Sequence, residues 1–191
     1  RRKELWITCE ITGDVRPVSS PAAAIQFLPL NCPDPNCRTY EFLNNDSFYL
    51  YFKSPIRGYL SVFIAEDDSH VFRLLPYKAM PAQFSNAVPV EPDKEYLFFA
   101  AGDAYDYFNS DTYAGVDELI MEAENDGVQM DLYVVFSKSE YAKPRLTGEE
   151  SHNSSIPRYL DIRGFENWML ENRIYDPDFL CKKVSLTVSK K

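Results

Sequence analysis

The stretch 47-SFYLYFKSPIRGYLSVFIAEDDSHVFRLLPY-77 decides the fold, because it holds three short segments rich in aromatic and β-branched residues. The segments are Phe48–Phe52, Gly58–Ala65 and His70–Leu75. The residues between them are typical of turns: Ser54-Pro55, Arg57-Gly58 and Glu66-Asp67-Asp68-Ser69. The pattern predicts three consecutive antiparallel strands, a meander of the kind that organises an immunoglobulin-like β-sandwich.

The length and composition suit one globular domain. The chain has 191 residues, which is enough to bury a core without staples. Hydrophobic residues make up 45% and aromatic residues 15%, so the chain is not of the disordered class. We expect residues 1–38 to form an N-terminal strand and an irregular crossing. Residues 39–191 are expected to form the β-sandwich, the whole being one compact domain.

Alternation of polar and apolar residues predicts further strands outside the meander. They are Lys3–Ile11, Tyr40–Leu43, Ala87–Val90, Lys94–Ala101, Met130–Lys138 and Cys181–Ser189. Val116–Glu124 fits neither the helical nor the strand period cleanly. We favour a strand there, because Asn125-Asp126-Gly127 is typical of a hairpin turn into Met130–Lys138. Thr12–Pro29 lacks periodicity and predicts an irregular crossing.

One segment near the C-terminus predicts a helix, Asp161–Arg173. Asp161 is a favourable N-cap residue. One face then follows at spacings of three and four, as expected for a helix packed on a sheet. That face consists of Ile162, Phe165, Trp168, Met169 and Asn172. The sequence therefore predicts a mostly β fold with minor α content: an antiparallel β-sandwich with one C-terminal helix packed on it before the last strand.

The charge balance argues against a nucleic-acid partner. The formal net charge is −9, whereas phosphate contacts require clustered Lys and Arg. The basic clusters Arg1-Arg2-Lys3 and Lys190-Lys191 lie at the ends of the chain, where solvated tails explain them. No run approaches the ~20 apolar residues of a membrane span. Because the sequence starts at Arg1, we expect a mature form, a fragment or a trimmed form.

The four cysteines allow several interpretations. Cys32-Pro-Asp-Pro-Asn-Cys37 closes a short loop in which a disulfide is geometrically plausible. Two free thiols or a metal site are the alternatives, although no second Cys or His pair follows, as zinc sites usually require. Cys9 and Cys181 lie in the first and last predicted strands, and the sequence does not decide whether they are neighbours.

Several short motifs taken in order carry a resemblance to a known family. They are Asp46-Ser47-Phe48-Tyr49-Leu50, Ser54-Pro55 with Gly58-Tyr59-Leu60-Ser61-Val62-Phe63, Leu74-Leu75-Pro76-Tyr77, Tyr96-Leu97-Phe98-Phe99, Tyr133-Val134-Val135-Phe136-Ser137, and the helix with Phe165-Glu166-Asn167-Trp168 before a closing strand. This order resembles a bacterial family known as domain of unknown function 4384, over about residues 40–189. Lys3–Ile11 resembles the strand that precedes this domain in versions from Bacteroidota.

The resemblance implies a β-sandwich-like domain of exported or envelope proteins, often appended to other modules. We therefore expect a periplasmic or envelope-associated location. The matching motifs are strands with their turns, and the family pattern supplies no catalytic residue. Thr12–Arg38 does not match the family well.

Motifs for catalysis are missing from the sequence. Only two histidines occur, His70 beside an acidic turn and His152 in a polar stretch, and both are typical of surface residues. No Gly-x-Ser-x-Gly nucleophile turn is present, and the 7 glycines are scattered, which argues against a phosphate-binding loop. The sequence therefore indicates a non-catalytic protein with no required cofactor.

The acidic stretch from residue 103 to residue 126 is the best candidate for a ligand site. Its first part, Asp103, Asp106 and Asp111, could present carboxylates to calcium, although the spacing is not that of an EF-hand. A solvated acidic loop is the simpler interpretation. A carboxylate pair for glycoside hydrolysis is a further alternative, for which sequence spacing says nothing about the geometry.

Aromatic residues interleave with these acids and suggest a binding role. Tyr105, Tyr107, Phe108 and Tyr113 could stack on sugars or anchor a protein partner, or simply cover an edge of the sandwich. We favour a non-catalytic envelope module that binds a protein or a glycan or supports a neighbouring domain. A calcium-stabilised structural domain and a carboxylate-dependent glycoside hydrolase are the alternatives.

Overall fold

The computed structural model describes residues 24–66, 69–78, 80, 82–100, 118–123, 125–148 and 157–190. Within these residues the chain forms two β-sheets and one α-helix. The first sheet contains β1 (Gln26–Leu30), β3 (Asp46–Lys53), β7 (Glu95–Phe98) and β8 (Leu119–Met121). The second contains β2 (Glu41–Leu43), β4 (Gly58–Ala65), β5 (His70–Leu75), β6 (Val88–Val90), β9 (Val128–Ser137), β10 (Tyr159–Asp161) and β11 (Leu180–Ser189).

The strand order gives the sheets their shape. In the first sheet β3 is central, with β1, β7 and β8 pairing along it. In the second the order is β10-β5-β4-β9-β11-β2, and β6 pairs with the start of β4. Every pairing between described strands is antiparallel except that of β2, which runs parallel to the end of β11. The prediction of a mostly β sandwich is confirmed.

The main core lies between the two sheets and is largely aromatic. Phe48 of the first sheet packs on Phe42 of the second, with ring centroids 5.7 Å apart. Phe52 and Phe136 make a similar contact across the sheets at 6.0 Å. All four side chains are buried, and each buried aromatic ring contributes a large apolar area to the stability of such a core.

A second core lies on the other face of the second sheet, beneath helix α1 (Ile162–Tyr175). Asp161 begins the helix, because its carboxylate accepts a hydrogen bond from the backbone N–H of Gly164 at 2.9 Å. Phe165 and Trp168 are buried against Phe63 of β4, at 5.0 and 5.5 Å between ring centroids. The predicted helix and its cap are therefore confirmed.

The predicted pairing of the first three strands is wrong in one respect. β4 and β5 form the expected hairpin, but β3 does not pair with β4. The chain instead crosses from the first sheet to the second between residues 54 and 57. Ser54 in this crossing is buried, and its carbonyl accepts a hydrogen bond from the backbone N–H of Asp93 at 2.7 Å.

Two other local predictions are corrected. The region expected to be an irregular crossing contains a strand, β1, which pairs with β3 from Gln26 to Leu30. Among residues 118–123, the described part of the strand expected over residues 116–124, the strand covers Leu119–Met121, and it pairs with β3 rather than forming a hairpin with β9. Residues 122–127 thus join the two sheets. The strand predicted at Lys3–Ile11 lies outside the described residues.

Candidate functional site

The residues predicted to bind a partner or calcium lie outside the described part of the chain. They are Tyr105, Tyr107, Phe108 and Tyr113 for partner binding, and Asp103, Asp106 and Asp111 for calcium. The structure does describe the two strands that flank residues 99–118, β7 and β8, and both strands pair with β3.

Both ends of the segment lie beside the same strand. β7 ends with Phe98 opposite Leu50 of β3, and β8 begins with Leu119 opposite Phe48. β7 and β8 both run antiparallel to β3. The last residue of β7 and the first residue of β8 therefore lie opposite positions of β3 that are only two residues apart. A scaffold that fixes both ends of a connection at one place is a common way of presenting binding residues.

The departure point is held by buried aromatic contacts. Phe99 has a positive φ of 64°, which is uncommon for a residue with a side chain. Its backbone N–H donates to the hydroxyl of the buried Tyr77 at 2.7 Å. Its ring packs 5.5 Å from Tyr77 and 5.6 Å from Phe48, measured between centroids. These contacts fix the direction in which the chain turns away from β7.

The return point is held by the turn between β2 and β3. Asn45 donates its backbone N–H to the carbonyl of Met121 at 2.9 Å. The side chain of Asn44 accepts a hydrogen bond from the backbone N–H of Ala123 at 2.9 Å. Asn44 also donates its own N–H to the carbonyl of Ser189 at 2.8 Å, so this turn connects β8 to the end of β11 in the other sheet.

Next to this turn, part of the second sheet carries polar side chains on its outer face. We call it the polar strip, and it lies on β2 and on the parts of β9 and β11 that α1 does not cover. Its members are Glu41, Gln129, Asp131, Lys183, Ser185 and Thr187. Ser185 lies opposite Asp131 in the ladder, and Thr187 lies between Gln129 and Glu41. All six are exposed or half-buried.

Asp131 is the centre of the strip. One carboxylate oxygen accepts a hydrogen bond from the Ser185 hydroxyl at 2.6 Å, and the other accepts one from Lys183 Nζ at 2.8 Å. Partial burial acts to raise the pKa of Asp131, but the two hydrogen bonds and the positive charge of Lys183 outweigh it and lower the pKa. Asp131 is therefore a fixed carboxylate at neutral pH.

The strip has an aromatic side chain at one border and an apolar one at the other. Tyr133 lies opposite Lys183 in the ladder and packs edge-on against Phe165 of α1 at 5.0 Å. Lys183 Nζ lies 5.9 Å from the Tyr133 ring centroid. Burial raises the pKa of Tyr133, so it stays a neutral phenol at neutral pH. At the opposite border Leu43 is 45% exposed.

The lowered pKa of Asp131 does not suit a general acid. A general acid in a glycosidase needs a raised carboxyl pKa, and that of Asp131 is lowered. His70 lies on β5, with its Nδ1 2.6 Å from the Ser69 hydroxyl, and β4 separates that strand from β9. His152 lies outside the described residues. Within the described ranges, no group of three or more His, Cys, Asp or Glu is placed to hold a metal ion.

The cysteines have separate environments. Cys32 and Cys37 form a disulfide with an S–S distance of 2.07 Å and Cα atoms 5.6 Å apart. The disulfide closes the loop beside β1, where Asn31 donates its N–H to the carbonyl of Cys37 at 3.3 Å. Cys181 is half-buried, and burial raises the pKa of its thiol to about 11, which makes it an inert thiol at neutral pH. Cys9 lies outside the described residues.

A buried polar group that the sequence reasoning missed lies at the other end of the second sheet. Arg73 of β5 is only 4% exposed, and its guanidinium donates to the carbonyls of Ser85 at 2.9 Å and Asn86 at 2.6 Å. The hydroxyl of Tyr141 donates to the carbonyl of Val135 at 3.2 Å, and burial strongly raises the pKa of Tyr141. These hydrogen bonds hold the loop at Ser85 and Asn86 and the segment at Tyr141 against the second sheet, and their role is structural.

Comparison with protein-family models, curated proteins and solved structures gives no match for this chain. The resemblance to domain of unknown function 4384 stays a prediction. Within the described residues, the helix α1 is too short and too polar to span a membrane.

Proposed function

We propose that this protein is a non-catalytic, exported or envelope-associated β-sandwich module whose polar strip binds a glycan. The observation that supports the proposal is the fixed Asp131 carboxylate between Ser185 and Lys183 on a solvent-facing sheet. A sugar presents neighbouring hydroxyls that both donate and accept hydrogen bonds. Polar side chains held in place before binding lose little entropy when the ligand arrives.

The chemistry of the strip favours a glycan over a protein. Protein interfaces draw most of their affinity from buried aromatic, apolar or Arg anchors near the centre of the contact. At the centre of the strip are Asp131, Lys183 and Ser185, and the apolar Leu43 and the half-buried Tyr133 lie only at its borders. A carboxylate can accept about four hydrogen bonds. Asp131 accepts one from Ser185 and one from Lys183, which leaves acceptor capacity for sugar hydroxyls.

One structural observation and one sequence prediction support the proposed location. The Cys32–Cys37 disulfide suits an oxidising compartment, since disulfides persist in exported proteins and are rare in the cytosol. The resemblance to a family of exported and envelope domains points the same way. The net charge of −9 also agrees with a partner other than nucleic acid.

The aromatic residues Tyr105, Tyr107, Phe108 and Tyr113 are proposed as a second contact for the same partner. What supports this is the way in which β7 and β8 fix both ends of residues 99–118 on β3, close to the Asn44 turn that borders the strip. Calcium binding by Asp103, Asp106 and Asp111 is the alternative function of this segment. Both proposals concern residues outside the described ranges.

The test is affinity electrophoresis of the purified protein through gels that contain neutral or acidic polysaccharides. Asp131→Asn and Ser185→Ala should weaken retention by one effective polysaccharide about 10- to 100-fold, the range expected for hydrogen bonds to a charged group. Lys53→Ala is the matched control, because it removes a Lys–carboxylate pair of similar exposure from the first sheet. Its retention should equal that of the wild type.

Other outcomes separate the proposals. If no polysaccharide retains the protein, or if the Asp131 and Ser185 variants bind as tightly as Lys53→Ala, the strip is not a glycan site. Loss of binding with Tyr107→Ala alone would move the site to the aromatic segment. A rise in melting temperature with Ca²⁺ that Asp106→Ala abolishes would support the calcium alternative.

A further inference from the structure

We draw no further inference here: the strongest candidate, the exposed apolar face of helix α1 formed by Leu170, Ile174 and Tyr175, carries nothing because nothing in the part of the chain that the structure describes shows what covers it.

Discussion

The side-chain oxygen of Asn44 accepts a hydrogen bond from the backbone N–H of Ala123 at 2.9 Å, across 79 positions of sequence. Ala123 follows β8 of the first sheet, whereas the backbone N–H of Asn44 donates to Ser189 at the end of β11 in the second. One residue in a turn therefore joins the two sheets at the end of the sandwich where residues 99–118 return to β3.

Asn44→Ala should destabilise the fold by about 1 to 2 kcal/mol, because it leaves the partly buried N–H of Ala123 without its acceptor. The free energy of unfolding in urea measures the effect. Asn167→Ala is the control, since Asn167 is exposed on α1 and alanine favours helices. Equal stability of Asn44→Ala and wild type would show that the connection between the sheets does not depend on this bond.

Gly58→Ala should destabilise the protein by about 2 to 3 kcal/mol through overpacking. A Cβ atom at this position would lie 2.4 Å from the Phe136 ring and 2.5 Å from the carbonyl oxygen of Ser137, and the backbone oxygen cannot move aside cheaply. Urea unfolding again gives the measurement.

Gly127→Ala separates overpacking from backbone strain. Gly127 has a φ of +70° but no atom within 4 Å of its added Cβ, so it should lose only about 1 kcal/mol. If the two alanine variants lost the same stability, close packing of β4 against β9 at Gly58 would not be the cause.

Trp168→Ala should cost about 3 to 5 kcal/mol, the range for removing a large buried side chain. Trp168 packs on Phe63 and Phe179 and donates its indole N–H to the carbonyl of Ala142 at 2.8 Å. Far-ultraviolet circular dichroism during thermal unfolding reports the loss. Ile174→Ala on the exposed side of the same helix should stay within about 0.5 kcal/mol of wild type. A similar loss in both would mean that α1 is not anchored through Trp168.

The elements with strong local signals were predictable. β4 and β5 are found at the residues that alternation and the turn at residues 66–69 predict, because both signals lie within one short stretch. The cap at Asp161 and the apolar spacing of Phe165 and Trp168 likewise placed α1 from local sequence alone. In each case, the deciding sequence signal lies within one short stretch of the chain.

The misses involve contacts between distant residues. The crossing at Ser54 has the composition of a hairpin turn, and only its hydrogen bond with Asp93 shows that it packs against another loop. β1 has no clear sequence signal, because Thr12–Pro29 lacks periodicity and Pro29 is not expected in a central strand. β1 lies at the edge of its sheet, and the Pro29 carbonyl accepts a hydrogen bond from the backbone N–H of Thr39 at 3.0 Å.

The polar strip could be seen only in part from the sequence. Lys183 and Ser185 alternate with the apolar Val184 and Leu186, so β11 was expected to have one polar face. The register of β11 against β9, which brings Ser185 opposite Asp131, joins residues 54 positions apart and has no local signal. The arrangement of side chains in the proposed site therefore required the structure, whereas the polar character of the strand did not.

The wild type and Asp131→Asn should differ in stability in a pH-dependent way. The folded protein lowers the pKa of Asp131 below its usual value of about 3.9 in an unfolded chain. The ionised side chain therefore contributes its full stabilisation above about pH 4 and loses it as the pH falls toward the lowered pKa of the folded state. The melting temperature of the wild type should exceed that of Asp131→Asn at pH 7, and the difference should shrink between pH 4 and pH 2.

Salt tests the cause of this pH dependence. Asp131 and Lys183 are partly exposed, so 1 M NaCl should screen their attraction and reduce the difference at pH 7 without removing the hydrogen bond from Ser185. Introducing Lys183→Ala into both the wild type and Asp131→Asn should likewise reduce the difference between their melting temperatures at pH 7. A difference between wild type and Asp131→Asn that is the same at pH 7 and pH 2 would contradict the lowered pKa, and with it the fixed, ionised carboxylate at the centre of the proposed glycan site.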